Sequence, residues 1–179
     1  MINYFEKAKG TIKNYTKGEI IKNEGDTCEN IFYIISGEIK AYTYSYLENQ
    51  FLINTIYEKN IFGDIPLFST NNKYLGNIIA SKKSTIKIIS KNEFLNMCED
   101  KRFLSLYLRY IDDKFLLLQN RLKVLSQKSI REKILFMISK KQNKILNFDT
   151  KEKLAEYLNI PRPSLSRELI LLKDEGIID

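Results

Sequence analysis

The sequence predicts an α+β chain in three parts: an all-β barrel or jelly roll over residues 1–100, a long helix over 101–126, and a helix-turn-helix over 127–179. Three observations predict it. Short β-branched and aromatic runs separated by turn residues fill the first part of the chain. A long stretch without glycine or proline then carries apolar residues at alternating steps of four and three. Near the carboxyl end a short helical pattern, a turn and a proline-led second helix follow one another closely.

The β runs are EIIKNEGD, NIFYIISGEIKAYTYSY, NQFLINTIYEKNIFGDI and LGNIIASKKSTIKIIS, with turn signals at Glu24-Gly25-Asp26, Ser36-Gly37, Lys59-Asn60 and Phe62-Gly63-Asp64. At Ser90 the character changes. Ser90 and Glu93 have the spacing of a capping box, which opens a short helix through Met97.

On the long helix, Leu104, Leu108, Ile111, Phe115, Leu118, Leu122 and Leu125 form one stripe, predicted to be the seam between two copies of the chain. Phe103, Tyr107, Tyr110 and Leu117 flank it and are expected to lie on the β domain. Burial of both stripes in one core is the alternative, and the strict period over this length favours the seam. Ser129 then caps a helix over IREKILFMISKK, and QNKILNFD reads as a polar break.

Thr150 is followed by Lys153 and not by glutamate at the third place, so the next cap is single-sided. Leu154, Ala155 and Leu158 mark an inner face, and Asn159 and Ile160 make the turn. Proline is tolerated in the first turn of a helix because the amide hydrogen it lacks has no partner there, so Pro161 and Pro163 mark a helix start. Leu165, Leu169 and Leu172, with Ile170, are the expected buried face. Arg162, Ser164, Ser166, Arg167 and Lys173 stay exposed. In a helix-turn-helix the first residues of the second helix enter the major groove. Arginine there can pair with guanine, while serine and backbone amides can hold phosphate. Arg162, Ser164, Ser166 and Arg167 are therefore candidate contacts to double-stranded DNA; a helical hairpin with solvated arginines is the alternative reading.

Composition removes whole classes of chemistry. There is no histidine, the commonest general base and metal or haem ligand, so no catalytic residue is assigned and the chain is read as a non-enzyme. Cys28 and Cys98 are too few for a disulfide framework or a four-thiolate centre, and neither a metal nor a cofactor is expected. The net charge of +7 suits a polyanionic partner or simple solubility. No apolar run reaches the roughly 20 residues needed to span a bilayer. The start MINYFEKAKG lacks a signal peptide's apolar block, so a cytoplasmic protein without a membrane partner is expected.

Gly18-Glu19, Glu24-Gly25-Asp26, Ile31 to Ile35 and Ser36-Gly37-Glu38-Ile39, with Phe62-Gly63-Asp64, Leu67-Phe68 and Leu154 to Ile178, occur in the order of one family. On these motifs the chain resembles the cyclic-AMP receptor protein/FNR (Crp/Fnr) family of bacterial transcription regulators. The resemblance implies a cyclic-nucleotide-binding-like β-roll, a homodimer formed through the long helix, and a two-fold related DNA site read by one helix per subunit. It also implies contact with RNA polymerase and leaves room for a small-molecule effector. By that resemblance Gly63, Asp64, Lys73 and Tyr74 belong to the phosphate-binding cassette. Gln119 and Asn120 fall where members contact an effector's base, or else on an exposed helix face.

The chain also departs from the family. Cyclic-nucleotide binders carry a glutamate for the ribose and an Arg-Ser or Arg-Thr pair for the phosphate; here the first is Asp64 and the pair falls on Tyr74-Leu75. No arginine lies between Met1 and Asp100, and a buried phosphate without a guanidinium is poorly compensated, so cyclic AMP is not expected to bind. The iron–sulfur and haem sensors also lack their ligands. An unknown effector, a redox signal at Cys28, or no ligand at all remain. Members continue past Gly176-Ile177-Ile178 with a β-hairpin wing; either the natural chain ends before it or the wing lies beyond Asp179, and the second is expected. Rotation of the helix-turn-helix about Ser126 to Ser129 is the expected switch. The competing reading is a β-roll sensor or regulatory subunit that acts by protein contact, its helical domain no longer binding DNA.

Overall fold

A computed structural model describes residues 1–44, 46, 50–139 and 150–178. The chain forms two compact units, Met1–Tyr110 and Ile111–Asp179. The division falls inside one long helix.

The first unit opens with a helix absent from the sequence prediction, α1 (Ile2–Lys7), followed by β1 (Thr11–Tyr15), β2 (Ile20–Lys22), β3 (Asn30–Ser36), β4 (Glu38–Tyr44), β5 (Gln50–Tyr57) and β6 (Ile61–Phe62). A short helix α2 (Asp64–Phe68), β7 (Asn77–Ala80), β8 (Ser84–Ser90) and α3 (Lys91–Cys98) follow, then the start of α4 (Lys101–Leu125). Two antiparallel four-stranded sheets result, ordered β1-β8-β3-β6 and β2-β7-β4-β5. The crossed order is that of a roll, as the turn spacing predicts.

The central strand β3 is buried from Ile31 through Ile34, because both of its faces are covered. Successive side chains point to opposite faces. Phe32 stacks on its cross-strand partner Phe62 at 4.7 Å, and Tyr33 stacks on Phe5 of α1 at 5.7 Å. Phe5 also meets Phe94 of α3 and Phe103 of α4, both buried, and this aromatic cluster fixes the helices to the sheet. Truncating one such ring to alanine costs about 3–5 kcal/mol. Lys87 of β8 is buried and donates to the carbonyls of Phe5, Glu6 and Ala8 at the carboxyl end of α1, where the helix leaves acceptors without partners. Gly37 joins β3 to β4 with φ +102; a Cβ there would lie 2.2 Å from Ser84 Oγ.

The helix predicted from Ser90 is present, and Ser90 Oγ accepts from the Glu93 amide. The reciprocal half of the box is not made. Glu93 Oε1 accepts instead from the Lys9 amide, tying α3 to the end of the α1 segment.

The second unit contains the rest of α4, then α5 (Ile130–Ser139), α6 (Lys151–Leu158) and α7 (Arg162–Asp174). Its core gathers Val124, Ile134, Met137, Leu154, Ala155, Leu158, Leu165 and Leu172. The predicted polar break over 142–149 lies outside the described residues. Two expectations about apolar side chains fail. Leu117 is 58% exposed, because it lies beyond the last turn of α4 that packs on the β-roll core, whose helix contacts are Phe103, Tyr107 and Tyr110. Ile170 is 57% exposed, because the face of α7 that meets the core is set by Leu165 and Leu172, seven residues apart.

Candidate functional site

The cassette is built where β6 ends and α2 begins. Gly63 turns the chain with φ +85; a Cβ there would lie 2.7 Å from the Asn30 carbonyl oxygen and 3.2 Å from the Tyr74 hydroxyl. The residue type is therefore set by close approach on two sides. Asp64 follows, only 2% exposed, and its Oδ2 accepts from the Tyr107 hydroxyl of α4 at 3.4 Å. Burial, then the charge of Asp64, pushes the Tyr107 phenol well above its ordinary range, so Tyr107 is the donor.

Tyr74, at the position where the family resemblance implies the phosphate arginine, is 4% exposed. Its backbone is held by bonds from the Gly25 amide to its carbonyl at 2.9 Å and from its amide to the Asp26 carbonyl at 3.1 Å. Its hydroxyl accepts from the Cys28 thiol at 3.2 Å, which also lies 3.2 Å from the Gly63 carbonyl. Burial pushes the Tyr74 phenol and the Cys28 thiol upward, keeping both protonated. Burial thus disfavours the thiolate, the reactive form, at Cys28. Lys73 is exposed, and its Nζ donates to Thr27 Oγ1 at 2.8 Å. Of the sequence-predicted effector contacts, Gly63 and Tyr74 meet around Cys28, Asp64 is engaged with Tyr107, and Lys73 is directed to Thr27. Gln119 and Asn120 are half-buried and belong to the second unit.

In the second unit, Thr150 Oγ1 accepts from the Lys153 amide, the single-sided cap the sequence predicts. α6 ends at Asn159, whose φ of 52 closes the helix in the left-handed conformation that asparagine tolerates. Pro161 caps α7 and Pro163 lies in its first turn. Leu165 and Leu172 are buried and Arg162 and Arg167 are exposed, but Ser164 and Ser166, expected to be exposed, are half-buried because they flank the buried Leu165. The Nε of Arg162 meets Glu152 of α6 at 2.5 Å, and both side chains remain exposed.

Sequence reasoning missed the cations that hold the helices together. Arg131 of α5 bridges Glu168 of α7 and Glu175, the residue that caps that helix, and its guanidinium holds the Glu175 carboxyl below the usual range. Arg121 of α4 and Lys133 of α5 reach the carboxyl end of α6. Each partner lies dozens of residues away, so no local pattern signals the pairing.

Along α4, Leu104, Leu108, Phe115, Leu118 and Leu122 are exposed in the single chain, and Ile111 and Leu125 are half-buried. Among the described residues no cluster of cysteine, histidine and carboxylates could hold a metal ion. No described helix is long and apolar enough to cross a membrane.

No curated protein sequence matches the chain. Solved structures do. A transcriptional regulator from Thermotoga maritima is 26% identical, the match covering 66% of this chain and 93% of that one, with a TM-score of 0.59. The c-di-GMP-responsive global regulator CLP from Xanthomonas campestris is 13% identical over 99% of this chain and 93% of its own, with a TM-score of 0.73. FixK2 from Bradyrhizobium japonicum is 14% identical over 96% of this chain and 88% of its own, with a TM-score of 0.71. The last two establish a shared fold. The family model for the cyclic nucleotide-binding domain matches residues 12–101, from β1 through the first residue of α4 and including the whole cassette. The chain belongs to the cyclic nucleotide-binding domain family.

Proposed function

We propose that the chain is a cytoplasmic, homodimeric, sequence-specific DNA-binding transcription regulator of the Crp/Fnr kind, which does not respond to cyclic AMP. The observation that carries the DNA reading is the amino end of α7. Arg162 and Arg167 are exposed there on a helix anchored from behind by buried Leu165 and Leu172, which is how a recognition helix presents base-reading groups. In this reading Arg167 is the principal base reader. Arg162 is second, since it must exchange Glu152 for DNA, and Ser164 and Ser166 contact phosphate. The exposed stripe of α4 is the dimer seam, which brings two α7 helices to two half-sites.

The cassette supports unresponsiveness to cyclic AMP. Its arginine position holds an uncharged, buried phenol engaged with Cys28, and its acidic position is engaged with Tyr107. A cyclic phosphate would lose its hydration with no guanidinium to replace it.

Selection of preferred sites from a random duplex library tests the reading. A two-fold symmetric motif is the expected result. Absence of any motif, with salt-independent failure to bind duplex DNA, would sink it in favour of a regulatory subunit acting by protein contact.

A further inference from the structure

Two cations from two different helices converge on the carboxyl end of α6. Arg121 donates its Nε–H to the Tyr157 carbonyl at 3.2 Å, and its guanidinium lies over the Tyr157 ring, 5.3 Å from the centroid. Lys133 donates from Nζ to the neighbouring Leu158 carbonyl at 3.3 Å. Carbonyls in the last turn of a helix have no intrahelical partner, and the helix dipole is negative there, so both donors meet acceptors that favour a cation. One residue on, Asn159 turns the chain toward α7.

Arg121 is half-buried, and burial lowers the pKa of its guanidinium, so its position carries a desolvation cost that an outward-facing arginine would escape. Val124, three residues further along α4, is 1% exposed in the core that also contains Leu154, Leu158 and Leu165. One turn of α4 thus supplies an apolar anchor to the core and a polar anchor to α6. The connection after α4 is itself tied: Glu132 accepts from the amides of Lys128 and Ser129, and Ser129 Oγ accepts from the Glu132 amide, a reciprocal capping box.

We infer that Arg121 is a positioning residue that locks the α6–α7 turn, and with it the amino end of α7, onto α4. The contact bridges the segment Ser126 to Ser129, the expected pivot, so rotation there must first release Arg121 from the end of α6. This rests on the DNA-binding reading only for its second readout.

The test uses the whole chain with Arg121→Ala and Arg121→Lys. Lysine keeps the charge and the stem but lacks the planar fork that bonds and stacks at once. Amide hydrogen exchange is measured first. Arg121→Ala is expected to speed exchange at Asn159 and Ile160 at least tenfold while leaving α5 protected. Unchanged exchange at the turn, or a uniform rise across the second unit, would overturn the inference. If the alanine variant does not fold, the lysine variant decides by the same criteria, with a smaller rise expected.

The second readout is tolerance to half-site spacing. Wild type is expected to select one separation between half-sites, and Arg121→Ala to accept separations longer or shorter by one base pair with discrimination reduced at least tenfold. A uniform loss of affinity at every separation, or unchanged strictness, would defeat the link to α4. If wild type selects no DNA, the proposed function fails and the exchange measurement alone decides the lock.

Discussion

The Tyr107 hydroxyl of α4 donates to Oδ2 of Asp64 at 3.4 Å, so the first residue of α2 is joined to the second turn of the long helix. One turn later the Tyr110 hydroxyl lies 3.3 Å from the Ile61 carbonyl and 3.4 Å from the Ile61 amide, on the strand that leads into the cassette. The cassette's acidic residue therefore binds the chain's own helix. Tyr107→Phe is expected to cost about 0.5–1.5 kcal/mol in urea unfolding, the net worth of a typical hydrogen bond. A double-mutant cycle with Asp64→Asn checks it: additive losses would mean that the pair does not interact.

Cyclic AMP at millimolar concentration is expected to leave the melting temperature unchanged. Ligand at a hundred times its dissociation constant would stabilise by about 2.7 kcal/mol, a shift of several degrees for a domain of ordinary size. A saturable rise would show that the Tyr74 side chain yields to a phosphate.

For the seam, Ile111→Lys combined with Leu118→Lys is expected to convert a dimer to monomer in sedimentation at micromolar concentration. Paired charges against their symmetry mates cost several kcal/mol of association, on the order of 3–5 kcal/mol for an uncompensated buried charge. An unchanged mass would remove the seam.

Arg167→Ala is expected to cost about 1–3 kcal/mol per contact and to flatten preference at one base pair in each half-site. Ser164→Ala should weaken all sequences alike, because phosphate contacts carry no base information. A motif unchanged by Arg167→Ala would make that arginine a solvated charge only.

Native-state alkylation separates the two cysteines. Burial raises both thiols, but Cys28 is sealed beneath Tyr74 and Gly63 whereas Cys98 is half-buried at the end of α3. Iodoacetamide is expected to label Cys98 first, with Cys28 labelled only on unfolding, as read by peptide mass. Early labelling of Cys28 would reopen the redox reading.

What the sequence determined by itself was local. The β-branched and aromatic run from Ile31 to Ile35, the Phe62-Gly63-Asp64 turn, the apolar stripe from Leu104 to Leu125 and the proline-led start of α7 each depend on neighbours close in the chain, so their patterns survive in a linear reading. Tertiary structure decided what those elements touch. It turned Glu93 from its own cap to the Lys9 amide, set Arg162 on Glu152, left Leu117 and Ile170 in solvent, and brought Arg121 to the end of α6. It also closed Tyr74 over Cys28, a contact across 46 residues. Periodicity reports which face of an element is apolar; the partner of a buried polar group depends on which distant segment arrives there, and only packing of the whole chain specifies that.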